Sequence, residues 1–323
     1  MNIQKTSDRF HTAYCKRTRA GNVTTFTEMS AVPEQPCTVK LSKTEYMNTA
    51  TGEICEYKQS ADRSENTDSL RKTFRKIRDL VNANCTIPDN IHWITLTYAE
   101  NMTDTKQLYS DFDKFLKRFK YYCKCHDLTA PEYIAVIEPQ ARGAWHVHLI
   151  LIWNSKRPYI ANNAVFAPMW GHGFTKIKGC PNADNLGAYL SAYLGDIPLS
   201  EFTGDTSTAT IKNVGGKKFV KGGRLRLYPC GMNIVRHSRG VKQPVSEVIS
   251  VDDVEKEKVN SGKLTFSRSL VLSDENTGSG KPSTLYIRHS YYNSKRSASQ
   301  AQRLIQSALA LGISVSVDNV TTT

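Results

Sequence analysis

The stretch 138-EPQARGAWHVHLILIW-153 decides the fold. Its second half, HVHLILI (146–152), is a run of aliphatic residues interrupted by two histidines, and it reads as a strand. Alternate side chains of a strand share a face, so His146, His148 and Ile150 point one way and Val147, Leu149 and Leu151 the other. Two imidazoles then stand about 6–7 Å apart on one face, a separation that one metal ion can bridge. An apolar strand is a poor solvent for unpaired ring nitrogens, which makes two on the same face more informative than one. Glu138 ends the strand before. A short turn through Pro139 and Gly143 returns its carboxylate to the same face as a third ligand. Two imidazoles and a carboxylate leave positions open for water and a substrate oxygen, the arrangement of a catalytic rather than a structural metal site.

Working outward, IHWITLTY (91–98) is rich in β-branched and aromatic residues and reads as a strand. YIAVI (133–137) reads as another. Between them Leu108, Phe112, Phe115, Leu116, Phe119 and Tyr122 fall at helical spacing over Asp104 to Cys125. An earlier amphipathic helix is expected over 68–84, with Asp68 as its cap and Leu70, Phe74, Ile77 and Val81 as its stripe. A later one is expected across ADNLGAYLSAYL (183–194), and a closing strand near 232–238. Strand, helix, strand, strand, helix, strand is the order of a ferredoxin-like split βαβ unit, an α+β fold with an antiparallel sheet flanked by helices. Residues 1–67 are polar and weakly periodic and are expected to form an N-terminal extension with little regular structure. The central domain is set at 68–245 and a C-terminal accessory region at 246–323. In that last region a strand is expected at 284–292 and a short helix at 299–311.

The chain of 323 residues is 39% apolar, enough for a core, and carries a formal net charge of +13. No run of about 18 apolar residues crosses a membrane and the first residues lack a secretory signal, so a cytoplasmic protein is expected. The eight cysteines show no repeated spacing and suit reduced thiols. Cys123, Cys125 and His126 have the look of a zinc half-site, but they fall in a helical pattern with no second ligand pair. GSGKPS (278–283) lacks the first glycine and the hydroxyl residue of a phosphate loop, which excludes an ATPase or helicase module on this motif.

The excess charge points to a polyanion. No Asp or Glu occurs from Thr206 to Ser246, whereas Lys212, Lys217, Lys218, Lys221, Arg224 and Arg226 lie there among glycines. That mixture suits a hairpin laid along phosphates, and these six are the candidate DNA-binding residues. In the helix around 187–195, Tyr189 and Tyr193 are four apart and share one face. A phenol serves as a covalent nucleophile when a metal ion or base favours its ionised form.

Three motifs in order, HWITLTY (92–98), EPQARGAWHVHL (138–149) and GAYLSAYLG (187–195), resemble those of the HUH endonucleases, and among them the rolling-circle replication initiators of bacterial plasmids, phages and integrative elements. The resemblance covers roughly residues 68–245 and extends to the basic stretch 222–240. A histidine pair alone is a weak signal; the ordered triplet is a strong one. The resemblance implies that His146 and His148, with Glu138 third, hold Mg²⁺ or Mn²⁺. It implies that Tyr189 and Tyr193 are the two nucleophiles, and that single-stranded DNA and an origin duplex are the partners, with a host helicase and polymerase following. One departure stands out: many relatives carry a Lys three residues after the last tyrosine, where this chain has Asp196.

The implied product is a 5′-phosphotyrosine and a free 3′-OH that primes a polymerase, with the phosphodiester energy conserved for rejoining. A transposase or a mobilisation relaxase of the same chemistry shares these motifs, although relaxases resemble a permuted version with the tyrosine near the N-terminus. A non-catalytic sequence-specific DNA-binding regulator is the rival from another class, and it has no use for both histidines and both tyrosines.

Overall fold

The residues expected to carry little regular structure open instead with two paired strands, β1 (Tyr14–Ala20) and β2 (Val23–Met29). The reason lies in their composition: the inward positions include Arg17, Thr24 and Glu28, so period-two burial exists without period-two hydrophobicity. A small three-stranded sheet follows, β3 (Thr38–Lys40), β4 (Glu45–Asn48) and β5 (Ile54–Glu56). This is a computed structural model, and it describes residues 11–33, 38–57, 67–179, 186–202, 204, 206, 209–214, 217–274 and 283–295. The chain divides into two units, residues 1–41, 46–54 and 244–323 in one and 42–45 with 55–243 in the other.

The second unit begins with α1 (Thr67–Asn84), whose Leu70, Ile77 and Val81 are buried and whose Phe74 packs beside them. The side chain of Asp68, its expected cap, lies outside the described residues. Next come β6 (Ile91–Thr97), α2 (Thr105–Cys125), β7 (Glu132–Pro139) and β8 (Trp145–Ile152). Asp104 caps α2 by accepting from the Lys106 and Gln107 backbone amides at 2.8 and 3.4 Å. Leu108, Phe112, Phe115, Leu116 and Phe119 are buried along one side of α2, as their spacing requires. Cys123 belongs to this buried stripe, and His126 Nδ1 meets the Tyr122 carbonyl oxygen at 2.9 Å, so neither is part of a zinc half-site here.

A short helix α3 (Ala167–Trp170) leads to β9 (Thr175–Gly179), then α4 (Leu186–Gly195), β10 (Ile197–Pro198), the hairpin β11 (Ile211–Val214) and β12 (Lys217–Val220), and β13 (Val235–His237). The main sheet runs β13-β7-β8-β6-β9 and is antiparallel throughout. Because β8 lies between β6 and β7, the β6-α2-β7 crossover is a split βαβ, and the α+β architecture is the one expected. The closing strand is present as β13, shorter than its sequence suggested. The edge strand β9 was not legible: Lys176 and Lys178 are exposed while Thr175 is buried, a lysine-lined edge rather than an apolar alternation.

α4 packs on α1 through Gly187, where a methyl group would overlap the Arg78 carbonyl. The Gly187 amide donates to Asn82 Oδ1 at 2.9 Å. Leu186, Leu190 and Leu194 bury the rest of the contact.

The first unit is completed by β14 (Val245–Ile249), α5 (Val254–Asn260), β15 (Lys263–Asp274) and β16 (Ser283–Asn293). These join β1 and β2 in a five-stranded antiparallel sheet, order β14-β1-β2-β16-β15. The strand expected at 284–292 is therefore present, and it pairs with β2 rather than belonging to a separate accessory region. The helix expected at 299–311 lies outside the described residues. Among the described residues no helix is long and apolar enough to cross a membrane.

Candidate active site

Strand register brings the predicted ligands together. Glu138 on β7 faces His146 on β8, and Thr97 and Thr95 of β6 face His146 and His148 from the other side. The two imidazole centroids are 6.3 Å apart, as a two-residue step along a strand requires. His148 Nε2 and Glu138 Oε2 are 2.6 Å apart, and Trp93 sets an edge-on ring against His148. His146 Nε2 and His148 Nδ1 are buried and have no hydrogen-bond partner in the protein. A buried polar atom left without a partner costs on the order of 1–3 kcal/mol, so two on one face beside a carboxylate are a donor set suited to a divalent cation. In the arrangement seen, no three His, Cys, Asp or Glu groups among the described residues already converge on one point.

The electrostatics favour ligand forms. Burial holds the His146 imidazole down to about 4, with the positive charges of Arg224 and Arg142 acting in the same direction against the pull of Glu138. It is neutral at pH 7, the form in which a histidine coordinates. Burial opposes ionisation of Glu138, but the hydrogen bond from His148 and the charges of His148 and Arg224 outweigh it and hold the carboxyl below its usual range.

Arg224 departs from the expected role. Rather than presenting its guanidinium to phosphate, it is 8% exposed and places Nη1 2.7 Å from Glu138 Oε1 and 2.6 Å from the Pro139 carbonyl oxygen. Its Nε donates to the Asp196 carbonyl at 2.7 Å, and the Asp196 carboxylate accepts from the Gly222 amide at 3.0 Å. A glycine-rich turn lets this part of the basic stretch fold inward, and the residue in place of the relatives' lysine is what receives it. Lys218, Lys221 and Arg226 are exposed, the last with its guanidinium over the Phe202 ring. The side chains of Lys212 and Lys217 lie outside the described residues.

Tyr189 and Tyr193 sit one turn apart on α4, and their side chains lie outside the described residues. The backbone of their helix is nevertheless fixed against the ligand strand. The buried Tyr228 hydroxyl donates toward the Leu194 carbonyl at 3.1 Å and the Ile137 carbonyl at 3.4 Å, joining the end of α4 to the residue before Glu138.

Two features escaped sequence reading. Arg142, in the turn before the histidines, is exposed and reaches the Tyr98 carbonyl at 3.1 Å; its signal was a cation inside the turn that returns Glu138 to His146. Tyr98 itself is buried, donates to Asp111 at 3.1 Å, and has its phenol pushed well above the ordinary range by burial and by the Asp111 charge. A tyrosine in that state is a poor nucleophile, which leaves α4 as the place to look for one. His172 Nε2 lies 3.6 Å from the same carboxylate. Gly173, at φ +153, permits the tight approach that pairs this loop with the end of β6.

Residues 91–197 match the family described as replication-associated protein, of the ORF2 or gene II protein type. The matched span opens at β6 and closes at β10, so it contains Glu138, His146, His148, Tyr189 and Tyr193 and excludes the basic residues 212–226. It marks this segment as one of a Rep-type, replication-associated kind. No curated protein and no solved structure matches the chain.

Proposed function

We propose that the protein is a replication initiator that nicks single-stranded DNA at an origin, using a tyrosine nucleophile and a divalent cation. The observation that carries this reading is the single sheet face with Glu138, His146 and His148, two of its ring nitrogens buried and unpartnered, inside the replication-associated segment. Glu138, His146 and His148 would hold Mg²⁺ or Mn²⁺, which when bound supplies charge neutralisation at the scissile phosphate. Coordination replaces the direct contact between His148 and Glu138. Arg224 stays on the other carboxylate oxygen and orients it.

A tyrosine of α4 attacks phosphorus in line. One P–O bond forms to the phenolic oxygen and the bond to the 3′ oxygen breaks; the phenol gives up its proton and the 3′ oxygen takes one. The product is a 5′-phosphotyrosine with a free 3′-OH, which a polymerase extends, and a second attack by that hydroxyl or another restores a phosphodiester without ATP. The exposed Lys218, Lys221 and Arg226 supply the nonspecific attraction to the strand.

The test is incubation with single-stranded origin-region DNA and Mn²⁺, followed by denaturing electrophoresis. A denaturation-resistant adduct in wild type that is absent from His146→Ala and His148→Ala, with both variants folded, is the expected result. Full nicking by either variant in a chelator-controlled assay removes the metal assignment. Binding without any adduct leaves a non-catalytic regulator.

A further inference from the structure

Outside the matched segment, the sheet β14-β1-β2-β16-β15 has two faces of opposite electrostatic character. On one, Val254 of α5 packs on Cys15 and Phe26. The cations on that side are paired with carboxylates: Arg17 with Glu247 at 2.9 Å and with Glu257, Arg19 with Glu247 at 2.7 Å, Lys258 with Glu28 at 3.0 Å and Glu255 at 2.7 Å, and Arg288 with Glu28 at 3.1 Å.

Register defines the other face. One cross-strand row is Ser246, Thr18, Thr25, Tyr291 and Phe266; the next is Val248, Lys16, Thr27, His289 and Arg268. Neither row holds a carboxylate. Phe266 is 56% exposed, and its ring lies 5.8 Å from that of Tyr291 at an interplanar angle of 48°. Lys16 and Arg268 are exposed, as is Lys263, which faces Asn293 at the end of the same face. Among the described residues these three cations make no ion pair. Charge is thus neutralised where α5 covers the sheet and left uncompensated where aromatic rings reach solvent.

We propose that this face is a second binding surface for single-stranded DNA, on which bases stack on Phe266 and Tyr291 while the phosphates meet Lys16, Lys263 and Arg268. An aromatic pair on an antiparallel sheet, flanked by cations, is the platform on which unpaired bases are held, and stacking tolerates any base because each has a π-face. A duplex keeps its bases stacked on one another and gains nothing from the rings. A protein partner is disfavoured by the threonine rows between the aromatics and the cations, which leave little continuous apolar area. The inference rests on the reading of the chain as a single-strand-processing protein, and it is independent of the metal site.

The experiment is fluorescence anisotropy of the full chain with an oligothymidylate of about 20 nucleotides in a chelator, so that no strand is cut. Phe266→Ala should weaken binding by about tenfold, the effect of one base left unstacked. Phe266→Trp should retain it. Lys16→Gln with Arg268→Gln should lower the log–log salt slope by about 0.7 for each phosphate released. His146→Ala should bind as wild type does. Unchanged affinity in Phe266→Ala overturns the proposal, and so does equal loss in Phe266→Trp, which would assign the residue to the sheet's integrity. If His146→Ala still nicks while Phe266→Ala loses the oligonucleotide, the platform stands and the metal assignment falls; the reverse pattern removes the platform alone.

Discussion

Arg224 Nη1 lies 2.7 Å from Glu138 Oε1, and His148 Nε2 lies 2.6 Å from the other oxygen of the same carboxylate. One buried acid is thereby shared between a strand histidine and an arginine delivered from the far side of the basic hairpin. With one oxygen held by the guanidinium, Glu138 has a single oxygen to offer an incoming cation.

Arg224→Gln is expected to destabilise the protein by about 3 kcal/mol, because it leaves a buried carboxylate without its cation. It should also change the affinity for Mn²⁺, which isothermal titration with the metal alone would measure, whereas Arg224→Lys should keep most of the stability. A variant with wild-type stability and wild-type Mn²⁺ affinity would return Arg224 to the DNA-binding set.

Neutralising Lys217, Lys218 and Lys221 together should weaken DNA binding and flatten its salt dependence by about one unit of log–log slope for each phosphate no longer neutralised. Titration across a range of salt concentrations checks this. An unchanged slope makes the hairpin β11–β12 a solvated surface that does not touch phosphate.

Tyr189→Phe and Tyr193→Phe should separate the two halves of a replication cycle, one abolishing the first adduct and the other chiefly the strand transfer that follows it. Mass spectrometric mapping of the phosphotyrosyl peptide in wild type and both variants decides the order. Adducts at Tyr193 under every condition would reduce Tyr189 to packing and the enzyme to a single-tyrosine type.

Acid should weaken the sheet through His92. Its imidazole accepts from Trp153 Nε1 at 3.1 Å, and burial, with the nearby Arg157 charge, lowers its pKa from 6.5 to about 4. A depressed histidine favours the neutral folded form, so its contribution is complete above pH 6.5 and is lost as pH falls toward 4. The loss is about 3 kcal/mol. Denaturant melts at several pH values would show the decline, and His92→Phe should flatten it over that window.

The main sheet and the ligand face were legible because β6, α2 and β8 follow their periods and because the histidine pair falls on one side of a strand. The rest was hidden for identifiable reasons. Glu28 and Arg17 are buried as charges in ion pairs, so β1 and β2 look polar in sequence although they are core strands. β9 carries lysines because it is an edge. The inward turn of Arg224 depends on Asp196, which lies 28 positions away and offers a backbone carbonyl that no side-chain pattern announces.

The five-stranded sheet of the first unit joins both ends of the described chain: Arg17 meets Glu247 across 230 positions, and β2 is paired on one side by β16. During synthesis the segment from residue 55 to 243 emerges whole before the partners of β1 and β2 exist. Loop closure over that span is slow, and domains fold as units in the order they emerge. The candidate active site is therefore able to form while β1 and β2 are still a lone hairpin, which is at best marginally stable by itself. A ribosome stalled before Ser283 would leave β2 with one open edge, a strand-pairing hazard that the finished protein closes with β16.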